Sequence, residues 1–178
     1  MCMLPEEIQR ELEVDRSKQS VERLIRQMNS DGISVPDFFS HLSTVKGKVQ
    51  WHMTWVFNHW AELRGYLSES DQKVVWAFLE ETSNQSVQRD LWRVFATVDI
   101  TEDLSGIIYE QGCQVFISQK YPIAVRAHAM QAAFNIAQPY PELLYELKLL
   151  MEEIKDIDSA GIRARVRNML AFIDKKLA

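Results

Sequence analysis

The segment VQWHMTWVFNHW, residues 49–60, contains three tryptophans and two histidines, side chains that can bind a metal or stack against a flat ligand. His52 and His59 are seven residues apart, which on a helix separates their backbones by about 10.5 Å. A metal ion sits about 2 Å from each ring nitrogen that binds it, so this spacing disfavours a shared metal site. The other histidines, His41 and His128, are isolated in the sequence. We therefore predict no bound metal and no cofactor.

Local motifs that activate a nucleophile or cradle a phosphate do not occur in this sequence. It has no G-x-S-x-G elbow, no glycine-rich phosphate loop and no Cys-x2-Cys pair, which are the arrangements such chemistry most often uses. No set of Ser, His and Asp residues indicates a catalytic triad. We predict that no residue is catalytic and that the protein is not an enzyme.

Tryptophan and arginine instead favour a binding function. Trp51 and Trp55 are four residues apart, one turn of a helix, and Trp92 occupies a similar flank of a later helix. Two interpretations stay open. The three rings form an exposed aromatic patch, or they pack beneath the helices at the N-terminus.

These residues belong to helices that recur along the chain. Four segments align, beginning at Val49, Val87, Val125 and Ile162, at intervals of 38, 38 and 37 residues. In each segment apolar residues stand at offsets 0, 4, 7, 8 and 11, which trace one face of a helix with 3.6 residues per turn. The repetition predicts four helices that bury the same face.

The aligned columns identify the residues expected in the core. Ala129 and Ala132 are expected where neighbouring helices approach closely, because a methyl side chain allows two backbones to come near each other. Trp60 falls in the last column and is predicted to be a packing residue. The full set expected to be buried is Val87, Leu91, Val94, Phe95, Val125, Ala129, Ala132, Ile162, Val166 and Met169.

Each aligned helix follows another amphipathic segment, so the chain consists of helix pairs. Pro36, Pro122 and Pro141 suit the first turn of a helix, and Ser86 and Ser159 suit N-cap positions. We predict an all-α fold, a right-handed α–α superhelix in one domain, residues 1–178. It comprises about four helix pairs, at about 33–66, 68–98, 101–138 and 140–177, with residues 1–31 forming an N-terminal cap.

Paired helices that recur near every 38 residues resemble HEAT and armadillo repeats. The pattern V-R-x-x-A-x-x-A, from Val125 to Ala132, is similar to the second helix of a HEAT repeat. The tract AVRAHAMQAAFNIAQPYPELLYELKLLMEEI, with AGIRARVRNML, resembles short bacterial HEAT-like proteins of unknown role. Some of those carry the name adenylosuccinate lyase by automatic labelling. Adenylosuccinate lyase itself resembles a much longer chain that carries a mobile S-S-x-M-P-x-K loop. No segment of this sequence matches that loop.

The second helix of each pair lines the concave surface of an α-solenoid, and here the second helices are basic whereas the first helices are acidic. We predict a concave groove that binds a protein or an acidic peptide. In the alternative, the arginines bridge to acids on neighbouring repeats. The predicted groove residues are Trp51, Trp55, Arg89, Trp92, Arg93, Arg126, His128, Arg163, Arg165 and Arg167.

A nucleic-acid partner is the second candidate. HEAT-like alkylpurine DNA glycosylases use an aspartate and tryptophans in a basic concave groove, and Asp90 resembles that aspartate because it lies near Arg89, Arg93 and Trp92. This chain has fewer repeats than that family and a net charge of −5. The parallel is therefore one of fold only.

Composition is consistent with a folded cytoplasmic protein. Apolar residues make up 47% of the 178 residues, enough for a sizeable core. The N-terminal segment is acidic where a signal peptide would be basic and then apolar, and no apolar run approaches the length of a membrane span. Cys2 and Cys113 match no metal spacing. We predict a soluble protein in the cytoplasm without membrane association.

Overall fold

The computed structural model describes residues 3–154 and 159–178, and the regular secondary structure in those ranges is helical, without a strand. This confirms the predicted all-α fold. The helices are α1 (Pro5–Val14), α2 (Lys18–Asp31), α3 (Val35–Thr44), α4 (Gly47–Arg64), α5 (Glu69–Glu81), α6 (Gln85–Thr97), α7 (Glu102–Ile117), α8 (Ile123–Ala137), α9 (Pro141–Ile154) and α10 (Ala160–Leu177).

The chain divides into two compact units, unit 1 (Met1–Thr101) and unit 2 (Glu102–Ala178). In unit 1 the first helices α1, α3 and α5 pack in succession, and so do the second helices α2, α4 and α6. In unit 2, α7 packs against α9, and α8 against α10. Each unit therefore has a layer of first helices and a layer of second helices. Helices α1 and α2 join both layers of unit 1 and add a pair ahead of the four that the sequence predicts.

The core of unit 1 is rich in aromatic rings that join the two layers. Phe38 of α3 stacks on Phe57 of α4 with ring centres 5.1 Å apart. Trp76 of α5 meets Phe95 of α6 edge to face at 5.7 Å. Trp60, which is 1% exposed, packs on Phe57 at 5.4 Å, so the prediction that it is a packing residue is confirmed.

The ten residues that the aligned columns place in the core are all buried, with exposed fractions from 0 to 6%. The close helix approach expected at Ala129 is also present, in unit 2. A Cβ atom added to Gly112 of α7 would lie 3.0 Å from the Ala129 carbonyl oxygen and 3.2 Å from the Ala133 Cβ. Helices α7 and α8 therefore touch through residues with no side chain or only a methyl group.

Helix starts follow the sequence signals in part. The side chain of Ser159 accepts a backbone N–H bond at the start of α10, as predicted for an N-cap. Pro36 lies in the first turn of α3 and Pro141 begins α9. Pro122 instead directly precedes α8 and serves as its N-cap residue, where its missing N–H costs no helical hydrogen bond.

The prediction that Ser86 caps α6 is wrong, because the helix begins two residues earlier in the chain than expected. Asn84 is the N-cap residue, and its carboxamide oxygen accepts the backbone N–H of Ser86 at 3.0 Å. The amide nitrogen of the same side chain donates to Gln50 Oε1 of α4 at 3.4 Å. Asn84 therefore both starts α6 and fixes its first turn beside α4.

Candidate functional site

Helices α4 and α6 of unit 1 bring together side chains with binding potential on the second-helix layer. Trp51 and Trp55 lie one turn apart on α4, and both are partly exposed. The guanidinium carbon of Arg89, on α6, lies 5.7 Å from the Trp51 ring centre, within the range of a cation–π contact. Trp55 meets His59 edge to face at 5.0 Å. We call Trp51, Trp55, Arg89 and Arg93 the α4–α6 surface.

Arg93 links α6 to α4 through an acid. Its Nη2 donates to Glu62 Oε2 at 2.7 Å, and the Nδ1 of His59 lies 3.4 Å from the same oxygen. Burial first, and then the positive charge of Arg93, lower the pKa of His59 below its usual value of 6.5. His59 is therefore neutral at pH 7. For Arg93 the structure realises the alternative interpretation, in which an arginine bridges to an acid of the neighbouring repeat.

Asp90 is a buried carboxylate between the two helices, 2% exposed. Its Oδ1 accepts two hydrogen bonds from Arg89, from Nε at 2.9 Å and from Nη2 at 2.8 Å. Its Oδ2 is buried and has no hydrogen-bond partner in the described part of the protein. Burial raises the pKa of Asp90 to about 6, although hydrogen bonds and charge from Arg89 oppose the rise. Desolvation dominates because burial disfavours the charged form of a carboxyl group.

Two polar side chains of α4, Thr54 and Asn58, are fully buried. The hydroxyl of Thr54 donates to the Trp51 carbonyl oxygen at 2.8 Å. Asn58 is fully buried, and neither its amide nitrogen nor its amide oxygen has a protein partner among the described residues; the same holds for the indole nitrogen of Trp51. Asn58 is not among the residues predicted from the sequence to form a site. The sequence does distinguish this residue, because Asn58 is polar at an aligned position that holds the apolar residues Ala96 and Phe134 in the next two repeats.

Trp92 does not belong to an exposed binding surface, and its assignment to the groove is wrong. It is 3% exposed and packs edge to face on Trp76 of α5, with ring centres 5.8 Å apart. It follows Leu91, a fully buried core residue, directly along α6. Because the Trp92 ring packs on Trp76, it faces the first-helix layer. Trp92 therefore stabilises the fold and is not available to a partner.

Arg126 of α8 is likewise a structural residue, which corrects its assignment to the groove. It is 3% exposed, and its Nε donates to the carbonyl oxygen of Phe116 at 2.8 Å. Phe116 lies at the C-terminal end of α7, where backbone carbonyls lack helical partners. A buried arginine can satisfy such a carbonyl and complement the negative end of the helix.

The other predicted groove residues of unit 2 lie on α8 and α10. Arg165 is partly buried, and its Nη1 donates to the Ala127 carbonyl oxygen of α8 at 3.2 Å. His128 is partly buried, whereas Arg163 and Arg167 are exposed. Arg165 therefore holds two second helices together, and Arg163 and Arg167 are the predicted groove residues of unit 2 that expose their charge.

Over residues 3–154 and 159–178, no three His, Cys, Asp or Glu side chains come close enough together to hold a metal ion. None of the helices described there is both long and apolar enough to cross a membrane. What the described residues do provide is a layered helical scaffold with aromatic and cationic side chains on one layer.

Two layers of antiparallel helices that recur at a fixed interval define an α-helical repeat protein. The chain matches the HEAT repeat domain family over residues 8–173, which spans nearly its whole length, and it belongs to that family. Comparison with curated proteins and with solved structures gives no match for this chain. HEAT repeats commonly serve as scaffolds for protein interaction.

Proposed function

We propose that this protein is a non-catalytic scaffold that binds a segment of another protein on the α4–α6 surface. The observation that carries the proposal is the partly exposed pair Trp51 and Trp55, one turn apart on α4, with the cation of Arg89 over the Trp51 ring at 5.7 Å. Tryptophan and arginine are the side chains that most often dominate the binding energy of interfaces. Repeat proteins use the surface formed by successive equivalent helices in this way.

An acidic segment suits this surface. The exposed side-chain fractions of Arg89 and Arg93 are 33% and 32%, so a partner can reach both guanidinium groups, although each is already paired with one acid of this chain. An Arg guanidinium group has five N–H donors in a planar fork, and the two Arg89 bonds to Asp90 occupy only one edge of it. A carboxylate of the partner can pair with the remaining edge while apolar groups cover the indoles.

A nucleic-acid partner is less well supported. Sequence-independent binding to nucleic acid depends on several cations that are available to neutralise phosphates. On the α4–α6 surface, Arg93 is paired with Glu62 and Arg89 with Asp90, so little unpaired positive charge remains there. Arg126 and Arg165 are committed to backbone carbonyl oxygens. The whole chain is acidic, with a net charge of −5.

We also propose that the protein works in the cytoplasm. Cys113 is a buried free thiol, and burial raises its pKa to about 11. A cysteine that stays a free thiol is typical of the reducing cytoplasm, where disulfides rarely persist. The assignment to the cytoplasm is tested by fractionation of cells that express the native protein, and recovery in an oxidising compartment would contradict it.

The binding proposal is tested by selection from a displayed library of random 12-residue peptides. We expect enriched peptides that combine acidic and apolar residues and that bind wild type and Tyr145→Ala equally. Tyr145 is 57% exposed on α9 and provides a matched aromatic control in unit 2. Binding should fall at least tenfold for Trp55→Ala and for Arg89→Gln, both checked by thermal melting.

Two results would contradict the binding proposal. One is that no peptide is enriched. The other is that the enriched peptides bind Trp55→Ala as well as they bind the wild type. A parallel titration with a 20-base-pair DNA duplex at rising salt concentration tests the nucleic-acid partner. Binding whose affinity falls steeply with salt would favour that partner, because phosphate contacts are salt-dependent.

A further inference from the structure

We infer that Asp90 controls the availability of Arg89 through its protonation. Ionised Asp90 holds the guanidinium group on α6, and protonated Asp90 releases it to bind a carboxylate of the partner. The inference rests on the proposed function, because it names the chemistry by which the α4–α6 surface recognises its partner and the condition under which it does so.

The hydrogen bonding between Arg89 and Asp90 is lopsided. Arg89 Nε and Nη2 both donate to Asp90 Oδ1, at 2.9 and 2.8 Å. Asp90 Oδ2 is buried and has no hydrogen-bond partner among the described residues. The Thr54 hydroxyl of α4 donates to the Trp51 carbonyl oxygen at 2.8 Å. Thr54 also lowers the pKa of Asp90 slightly, as the smallest of the effects that oppose burial. An ionised carboxylate with one unsatisfied buried oxygen is costly. Protonation removes the charge and supplies a donor on that side.

Arg89 is held in a position from which a partner can take it. Neighbouring residues on a helix point about 100° apart and do not normally face each other, so Arg89 must bend around the helix to reach Asp90. Its side chain is 33% exposed, whereas that of Asp90 is 2% exposed. The cation is therefore at the surface, the acid is beneath it, and the Trp51 ring supports the guanidinium group at 5.7 Å.

The charges around Asp90 are few. On its own helix they are Arg89 and Arg93, and from α4 the polar group is Thr54. His59 and Glu62 of α4 lie around Arg93 and act on Asp90 only through it. Among the described residues of α5, the other helix packed on α6, no charged group acts on Asp90.

A partner carboxylate that binds Arg89 comes close to Asp90. Two carboxylates that share one site repel each other when both are ionised, so one of them takes up a proton. With Asp90 ionised, Arg89 and Asp90 cancel in charge; with Asp90 protonated, Arg89 is an unpaired cation. Binding of an acidic segment should therefore take up one proton and tighten as the pH falls from 7.5 to 5.5, through the pKa of Asp90, about 6.

The probe for this test is a fluorescein-labelled peptide of ten aspartates, whose side chains stay ionised over this pH range. Fluorescence anisotropy gives its affinity for the wild type, Asp90→Asn and Arg89→Gln at pH 5.5 and 7.5. We expect the wild type to bind about tenfold more tightly at pH 5.5, since a charge coupling of one pKa unit corresponds to a factor of ten. Asp90→Asn should bind tightly at both pH values, and Arg89→Gln weakly at both.

His59 is the control for the same pH range, because its protonation would also add positive charge. His59→Gln should keep the tenfold difference in affinity if Asp90 is responsible. The inference is overturned if His59→Gln abolishes the difference, or if Asp90→Asn shows the same pH dependence as the wild type.

NMR separates a failure of the inference from a failure of the proposed function. Without peptide, the Arg89 Nε–H signal of the wild type should shift with a midpoint near pH 6, and it should not do so in Asp90→Asn. If this signal titrates but the peptide binds no variant, the acidic partner is excluded and with it the proposed recognition by Arg89. If the signal does not move between pH 5 and 7.5, control by Asp90 is excluded whatever the peptide does.

Discussion

Gly112 of α7 lies against the backbone of Ala129 of α8, so close that an added Cβ would be 3.0 Å from the Ala129 carbonyl oxygen. The second neighbour of that Cβ would be the Ala133 methyl group at 3.2 Å. Neither the backbone oxygen nor the methyl group can rotate away. Contact between α7 and α8 therefore depends on the absence of a side chain at Gly112, although the φ angle there needs no glycine.

Gly112→Ala should destabilise unit 2 by about 1–3 kcal/mol, the usual cost of forcing extra atoms into a packed core. Urea unfolding at pH 7 measures this change. Gly106 provides the control in the same helix, because no atom lies within 4 Å of a Cβ added there. Gly106→Ala should stabilise α7 by about 0.5–1 kcal/mol, the difference in helix propensity. Equal effects of the two substitutions would contradict the close contact.

Arg126→Met should destabilise the protein by about 1–3 kcal/mol, because it leaves the buried Phe116 carbonyl oxygen without the donor that now lies 2.8 Å away. The methionine retains much of the apolar stem, so the loss reports the polar contacts of the guanidinium group, this hydrogen bond among them. Arg167→Met, at an exposed position of α10, should change stability by no more than about 0.5 kcal/mol. The comparison requires only thermal or urea melts of the two variants, and similar losses would contradict the structural role of Arg126.

The sequence predicted the helical repeat and its core because that information is periodic. Leu91, Ala129 and Val166 occupy the same column of the aligned segments, so the apolar character of that position is seen several times and does not depend on one residue. All three residues are fully buried. The repeat boundaries and the handedness remain predictions. Helices α1 and α2 lie within residues 1–31, where the sequence predicts cap helices because the apolar positions there are out of register with the later ones.

The assignment of flank residues succeeded less well, because it depends on neighbours that no column records. Whether Trp92 faces solvent or α5 is decided by Trp76, which belongs to a different helix. Arg126 is buried because the C-terminal end of α7 comes near it, and that contact involves a different helix. Trp51 and Trp55 are both partly exposed on α4, and Trp51 lies beside Arg89; that they bind a partner is a proposal.

Asp90→Asn should alter the pH dependence of stability in a defined direction. Since the pKa of Asp90 is raised from 3.8 to about 6 in the folded state, the folded protein holds this proton more tightly than the unfolded chain. The corresponding stability is present below about pH 4 and lost as the pH rises through about 6. Asp90→Asn removes that loss and should therefore be more stable than wild type at pH 7, by roughly 2–3 kcal/mol, and equal to it at pH 3.5.

His59 acts in the opposite direction and must be removed from that comparison. Its pKa is lowered from 6.5, so the unfolded chain holds the proton more tightly, and stability from neutral His59 is lost as the pH falls below about 6.5. Urea titrations in a His59→Gln background isolate the contribution of Asp90. A difference between Asp90→Asn and its parent that is the same at pH 3.5 and pH 7 would show that Asp90 does not titrate as described.

The two tryptophans Trp92 and Trp55 should separate stability from binding. Trp92→Ala removes a 3%-exposed ring packed on Trp76 and should cost about 3–5 kcal/mol of unfolding free energy, the range for loss of a large aromatic from a core. Trp55→Ala removes a partly exposed ring and should cost about 1 kcal/mol or less. Only Trp55→Ala should weaken peptide binding in protein that is fully folded at the assay temperature. If Trp55→Ala instead unfolds the protein as Trp92→Ala does, the ring is part of the core, and the α4–α6 surface loses the aromatic anchor on which the proposed function depends.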